Sequence, residues 1–167
     1  PTTTETSYLE VISRKTAILF SAATRLSALL VDASSETEAQ MAAYGMHLGN
    51  AFQLIDDALD YKANAEDLGK NLGDDLAEGK PTLPLIHAIE HANEGDAQII
   101  TDAIKEGDRN AFNDVYKIVQ ATGAIEYTEK RAEEEAQKAI NALALIADSP
   151  YKQAMMQLAI FSVQRNY

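Results

Sequence analysis

The longest uninterrupted helical pattern in this chain most constrains what it can fold into. It extends from Ser35 to about residue 62, contains no proline, and repeats apolar side chains at steps of three and four residues. Ser35 and Glu38 have the spacing of a capping box, which predicts that the helix begins there. Globular helices average about 11 or 12 residues, so a helix of about 27 residues is expected to cross the whole domain.

The remaining sequence predicts further helices and no sheet. Thr2 and Glu5 have capping-box spacing and open a first helix that ends near Val31. The stretch NAEDLGKNLGDDLAEGKPTLP has the composition of an ordered loop, with one helical turn at 74–77. The further predicted helices cover residues 83–92, 97–106, 109–122, 124–147 and 150–165, the last capped by Ser149. We therefore expect an all-α fold, a partial bundle of long antiparallel helices, with residues 1–167 forming a single all-helical segment around one core.

Charge and composition exclude several classes of partner. The formal net charge is −12 and no basic cluster is evident, so nucleic acid and anionic membrane surfaces are not expected to bind. The chain has no cysteine, which is consistent with a cytoplasmic protein. No apolar run has the length of a membrane span. The first residues, PTTTET, lack an initiating methionine and suggest a cut inside a longer polypeptide.

Three carboxylates lie inside the apolar segment FQLIDDALDY. On a helix Asp56, Asp57 and Asp60 share one sector, and Gln53 lies one turn earlier on the same side. Like charges at this spacing repel one another, and no Lys or Arg lies three or four residues from Asp56. A hard cation such as Mg²⁺ would compensate them. The alternative is a solvated acidic face, which a bare DDxxD pattern does not exclude.

Lysines near this segment favour the interpretation as a cation site over a solvated acidic face. Lys70 and Lys80 each follow a glycine in the loop after the long helix, where the backbone can approach an anion closely. Lys15 lies mid-helix among apolar residues, next to Thr16. Taken alone, Lys15 would be interpreted as a surface lysine. Together, three lysines and three aspartates suit a diphosphate bridged by Mg²⁺.

Three segments resemble those of a known protein family and occur in the order found in that family: YLEVISRKTAILF, GNAFQLIDDALDY and LGKNLGDDLAEGKPTLPLIHAI. With them, essentially the whole chain resembles the C-terminal half of the trans-polyprenyl diphosphate synthases. The resemblance implies that the aspartates bind Mg²⁺, which in turn binds the diphosphate of an allylic substrate. It also implies roles for other residues: diphosphate contacts for Lys15, Lys70 and Lys80, and positions beside the allylic carbon for Thr16 and Gln53.

The resemblance also implies a reaction, and it shows which parts of the family pattern this sequence does not contain. Members of the family ionise an allylic prenyl diphosphate, which the double bond of isopentenyl diphosphate then attacks, and they are commonly homodimers. Their first aspartate-rich motif and their isopentenyl diphosphate site lie before the part that this chain matches. We therefore predict that the chain cannot catalyse elongation by itself. Two alternatives stay open: a non-catalytic helical subunit or interaction module, and a terpene cyclase, which the spacing of the lysines disfavours.

The three histidines are interpreted as structural. His87 and His91 have the spacing of a two-histidine metal face, but Ala88 stands where a helical zinc hydrolase requires Glu. No Glu lies three residues before any histidine, which disfavours a di-iron carboxylate bundle. His47, between Met46 and Leu48, is expected at the edge of the core.

Overall fold

The computed structural model describes residues 3–62 and 73–164, and every regular element in these ranges is a helix. The expected all-α fold is thereby confirmed. A π-helical turn, Ser13–Ala17, joins the first two helices, and a 3₁₀ turn, Arg109–Ala111, precedes α7. The α-helices are α1 Glu5–Ile12, α2 Ile18–Leu29, α3 Ser35–Leu59, α4 Asp74–Ala77, α5 Leu83–His91, α6 Glu94–Glu106, α7 Phe112–Ala121, α8 Ala124–Ala142 and α9 Pro150–Val163. In this described part of the chain, no helix combines the length and apolar character needed to span a membrane.

The long helix α3 is capped one residue earlier than the sequence pattern predicts. The hydroxyl of Ser34 accepts the backbone N–H of Thr37 at 3.2 Å, so Ser34 is the capping residue and the Ser35–Glu38 box is wrong. Two adjacent serines can both serve as caps, and local pattern does not choose between them. Because Glu38 lies one position beyond the box, its carboxylate accepts a hydrogen bond from Arg25 at 2.6 Å instead.

Other helix ends follow their local capping residues. The Ser149 cap of α9 is confirmed, since its hydroxyl accepts the N–H of Lys152 at 3.2 Å. At α1 the accepting hydroxyl is that of Thr4, which takes the N–H of Ser7 at 3.2 Å, while Thr2 lies outside the described residues. Helix α6 begins three residues earlier than predicted, because the side chain of Asn93 caps it. Helix α8 ends at Ala142, not near 147, since tighter i to i+3 hydrogen bonds follow.

The chain divides into two compact units. The first comprises residues 1–8 and 56–129, and the second comprises residues 9–55 and 130–167. The division falls inside α1, α3 and α8, so these helices contribute to both units. The assignment of residues 1–167 to a single segment stays a prediction.

The core of the first unit is built by α5, α6 and α7 around the end of α3. Leu85, Ile100 and Val115 are fully buried in it. The ring of Tyr61, just after α3, stacks on Phe112 with 6.0 Å between ring centroids. Because Tyr61 directly follows Asp60, this core sets the position of the last aspartate of the DDALD segment.

The second unit requires a close approach of α2 and α3. A Cβ atom built on Gly49 would lie 2.5 Å from Cα of Ala17, and one built on Gly45 would lie 2.4 Å from the carbonyl oxygen of Phe20. Only glycine fits where two helix backbones come this close. The contact holds the π-helical turn against the middle of α3. A separate cluster of this unit consists of Tyr44, Leu48, Ala139, Ala142, Leu143 and Ala159.

Candidate functional site

The three predicted metal ligands at the end of α3 enter different surroundings. Asp56 is exposed, Asp57 is buried with only 4% of its surface accessible, and Asp60 is half-buried. Rotation by about 100° per residue explains the difference between the two adjacent aspartates, because Asp57 turns toward the interior of the first unit. One carboxylate of the segment is therefore presented to solvent, and another is held inside.

The buried Asp57 has a tyrosine partner that the sequence did not suggest. The hydroxyl of Tyr8 donates a hydrogen bond of 2.5 Å to Oδ2 of Asp57. Burial of the phenol, followed by the nearby negative charge of Asp57, raises the pKa of Tyr8 far above its usual range. The phenol therefore stays protonated and acts as a permanent donor to the carboxylate.

Asp60 contacts the beginning of α4. Its Oδ2 accepts the backbone N–H of Asp75 at 3.2 Å. Burial raises the pKa of Asp60, and the amides of Gly73–Asp75 oppose that rise. Burial, followed by the charges of Asp60 and Asp75, also raises the pKa of Tyr61 well above its ordinary value. Asp60 thus holds α4 in place while its carboxylate remains partly accessible.

Lys80 lies beside α4, in ion pairs with acidic neighbours. Its Nζ is 3.1 Å from Oδ1 of Asp75 and 2.5 Å from Oε2 of Glu78. The hydrogen bond to Glu78 and then that to Asp75 raise the pKa of Lys80, against the opposing effect of burial. Gly79, directly before it, has φ +67°, a left-handed conformation that favours glycine. Asp75 therefore links Asp60, through its N–H, to Lys80, through its carboxylate.

The donors at this end of α3 suit a hard cation. Carboxylate oxygens are what Mg²⁺ prefers, and Mg²⁺ commonly takes only one or two of them. Among the described residues, no Lys or Arg forms an ion pair with Asp56 or Asp60, and no three His, Asp or Glu side chains converge into a ready-made cation site. The residues present fit a Mg²⁺ ion that completes its coordination with water and phosphate oxygens. The assignment of the three aspartates as metal ligands stays a prediction.

Lys15, Thr16 and Gln53 are predicted site residues that belong to the second unit. Lys15 and Thr16 lie in the π-helical turn, with Lys15 exposed and Thr16 half-buried. The hydroxyl of Thr16 donates to Oε1 of Gln53 at 2.9 Å. The structure thus brings together the two side chains expected beside an allylic carbon. Lys70, with its preceding Gly69, lies outside the described residues.

The histidines form contacts that their sequence neighbours did not indicate. His47 on α3 lies 2.8 Å, through Nδ1, from the carboxylate of Glu135 on α8. The rings of His87 and His91 stack with 3.9 Å between centroids, and His87 also stacks on Tyr127 at 4.1 Å. Burial, followed by the proximity of His91, lowers the pKa of His87.

Comparison with known proteins places this helical arrangement and its aspartate segment in a family. Residues 1–122 match the family model described as polyprenyl synthetase. The chain therefore belongs to the polyprenyl synthetase family.

Within this family, the chain is similar to octaprenyl diphosphate synthases over its whole length. The chain is 50% identical over 167 residues to the octaprenyl diphosphate synthase of Escherichia coli (strain K12), covering 99% of this chain and 52% of that protein. It is 48% identical to the octaprenyl diphosphate synthase of Haemophilus influenzae, covering 100% of this chain and 51% of that protein. The chain thus spans about half the length of the curated relatives it matches.

Solved structures show the same fold. A decaprenyl diphosphate synthase from Rhodobacter capsulatus superposes with a TM-score of 0.90 at 37% identity, over 98% of this chain and 51% of that one. A polyprenyl synthase from Caulobacter crescentus CB15, solved in complex with calcium and isoprenyl diphosphate, gives a TM-score of 0.89 at 38% identity over the same shares. The expected likeness to the C-terminal half of a polyprenyl diphosphate synthase is confirmed.

Proposed function

We propose that this chain provides the allylic diphosphate site of a Mg²⁺-dependent trans-prenyltransferase. The parent activity is condensation of isopentenyl diphosphate with an allylic prenyl diphosphate, with octaprenyl diphosphate as the product, for the side chain of an isoprenoid quinone. One observation supports this most strongly: in a chain of this family, α3 ends on an exposed Asp56 and a half-buried Asp60 that no cation among the described residues neutralises.

The three aspartates would have different roles. Asp56 and Asp60 would provide the carboxylate oxygens for the metal, with Asp57 fixed behind them by Tyr8. Bound Mg²⁺ would neutralise the diphosphate and so make it a better leaving group. The protein would contribute preorganised charge and no nucleophile, since ionisation of an allylic diphosphate needs only stabilisation of the departing anion.

The family resemblance assigns diphosphate contacts to the lysines as well. Lys80 would exchange its contacts with Asp75 and Glu78 for phosphate oxygens, a change that keeps its charge paired throughout. Lys15 and Lys70 would supply further contacts. The hydrogen bond from Thr16 leaves the amide of Gln53 with a fixed oxygen and nitrogen, so this pair would present an oriented polar surface to the allylic carbon.

Three further expectations belong to this proposal. The isolated chain would not elongate a prenyl substrate, because the family's other substrate site lies outside the part that it matches. The full-length enzyme would act in the cytoplasm and as a homodimer. Exposed apolar side chains on the helix that extends from α1 to α2 support association, and they include Val11, Ile18, Leu19, Leu26, Leu29 and Leu30. A turnover assay with the isolated chain and sedimentation of the full-length protein test these points.

Calorimetric titration with inorganic diphosphate tests the proposal. The chain should bind diphosphate when Mg²⁺ is present and only weakly without it, and Asp56→Asn should remove the metal-dependent part. Asp114→Asn is the matched control, because Asp114 is an exposed aspartate on α7. Equal binding with and without Mg²⁺, or equal loss in both variants, would reject the proposal in favour of a solvated acidic face.

A further inference from the structure

A buried carboxylate in the second unit, that of Glu135, has hydrogen-bond partners on three other side chains. Glu135 on α8 is 7% exposed. Its Oε2 lies 2.8 Å from Nδ1 of His47 and accepts from Nδ2 of Asn50 at 3.3 Å, while its Oε1 accepts from Nζ of Lys138 at 2.7 Å. Desolvation of this kind is costly, so three convergent donors indicate a group that must stay ionised.

The ionised carboxylate determines how the side chain of Asn50 is oriented. A carboxylate can only accept hydrogen bonds, so the NH₂ group of Asn50 must face Glu135. The amide oxygen then points the other way, and it accepts the hydroxyl of Ser13 at 3.0 Å. We call Glu135, His47, Lys138, Asn50 and Ser13 the Glu135 network.

Ser13 is the first residue of the π-helical turn. Such a turn has an extra residue per hydrogen-bonded ring and is rare because an ordinary helix competes with it. Side-chain hydrogen bonds connect this turn to α3, from Ser13 to Asn50 and from Thr16 to Gln53. The Glu135 network therefore stabilises a turn whose residues would otherwise favour an ordinary α-helix.

We propose that Asn50 and Glu135 are positioning residues, which hold the π-helical turn Ser13–Ala17 in register and thereby place Lys15 and Thr16 for the diphosphate substrate. Neither residue contacts the substrate. This inference rests on the proposed function for its consequence in binding. Its structural part, the control of the turn by a carboxylate on α8, stands on the hydrogen bonds alone.

Amide hydrogen exchange tests the structural part. Ser13→Ala removes one hydrogen bond at a half-exposed position and should leave the fold intact. Loss of one hydrogen bond predicts about a three- to tenfold faster exchange at residues 13–18, with exchange in α9 unchanged. Asn50→Ala should accelerate the same amides. Ser27→Ala is the matched control, because the hydroxyl of Ser27 bonds only to its own helix, at the carbonyl of Thr24.

Diphosphate binding in the presence of Mg²⁺ tests the consequence. Ser13→Ala should weaken the affinity of the chain for inorganic diphosphate by about three- to tenfold, and Ser13→Thr, which keeps the hydroxyl, should restore both the affinity and slow exchange. Unchanged exchange at residues 13–18 in Ser13→Ala and Asn50→Ala, or equal acceleration in Ser27→Ala, would overturn the inference. A wild-type chain that binds no diphosphate would count against the proposed function alone, since exchange reports on the turn without any ligand.

Discussion

The hydroxyl of Tyr8 donates a 2.5 Å hydrogen bond to the carboxylate of Asp57, which lies 49 residues further along the chain and is buried. The contact joins α1 to the end of α3 inside the first unit. It also separates two adjacent aspartates by role, because Asp57 is held inside while Asp56 faces solvent. The DDALD segment, residues 56–60, therefore combines a structural carboxylate with accessible ones.

Replacing the two buried tyrosines near the aspartates should change stability by different amounts. Tyr8→Phe removes one hydrogen bond from a buried carboxylate and should cost about 1–3 kcal/mol of unfolding free energy. Tyr61→Phe should change stability by less than about 1 kcal/mol, because the hydroxyl of Tyr61 is buried without a hydrogen-bond partner in the described part of the chain. Urea denaturation of both variants measures this. Equal losses would contradict the role given to the Tyr8 hydroxyl.

Glu135 should make the protein sensitive to acid. Burial alone would raise its pKa, but the hydrogen bonds of His47 and Lys138 outweigh burial and lower the pKa to about 2. A lowered native pKa contributes stability above the unfolded value of about 4.5, and that stability is lost as the pH falls from there toward 2. The corresponding stability is less than about 3 kcal/mol, because solvent screens part of the interaction.

Unfolding free energies measured between pH 6 and pH 3 should therefore decline less steeply in Glu135→Gln than in the wild type. The groups that face this carboxylate are His47 and Asn50 from α3 and Lys138 from its own helix. Glu133→Gln, at an exposed position on the same helix, should keep the wild-type slope. Parallel curves for all three proteins would show that the buried carboxylate contributes nothing to acid stability.

The close approach of α2 and α3 should not tolerate a methyl group. Gly49→Ala places Cβ at 2.5 Å from Cα of Ala17, and separation of the two helices should cost about 1–3 kcal/mol. Gly95→Ala, in the exposed first turn of α6, should be neutral or stabilising by up to about 1 kcal/mol, since its Cβ would meet only Asn93 Oδ1 at 3.3 Å. Thermal unfolding distinguishes them, and a neutral Gly49→Ala would mean that the helices are not in contact there.

Local sequence patterns predicted most of the helices, because apolar spacing and capping residues act within a few positions of each other. The spacing of apolar residues gave α3 to within a few residues, and Ser149 with Pro150 gave the start of α9. The choice between Ser34 and Ser35 as a cap could not be made, since both are competent and only the rest of the fold selects one. The π-helical turn at Ser13–Ala17 has no sequence signature, because it depends on packing against α3.

Residue types predict a candidate aspartate site, which stays a prediction, but they do not predict the tertiary contacts of its side chains. Three aspartates in an apolar helix favour a cation site, with a solvated acidic face as the alternative. The tertiary contacts join distant parts of the chain: Tyr8 lies 49 residues from Asp57 in the aspartate segment, and Glu135 lies 88 residues from His47 in the second unit. Helical periodicity describes one helix at a time, so neither pairing could be derived from it.

Paramagnetic broadening by Mn²⁺ tests most directly whether the end of α3 holds a metal for a diphosphate. In an amide NMR spectrum of the ¹⁵N-labelled chain with inorganic diphosphate, substoichiometric Mn²⁺ should broaden the signals of Asp56–Asp60 first, and excess Mg²⁺ should restore them. Signals of acidic but unrelated positions, such as Asp102 on α6 and Asp114 on α7, should persist. Broadening that begins at those positions, or that spares residues 56–60, would contradict the account.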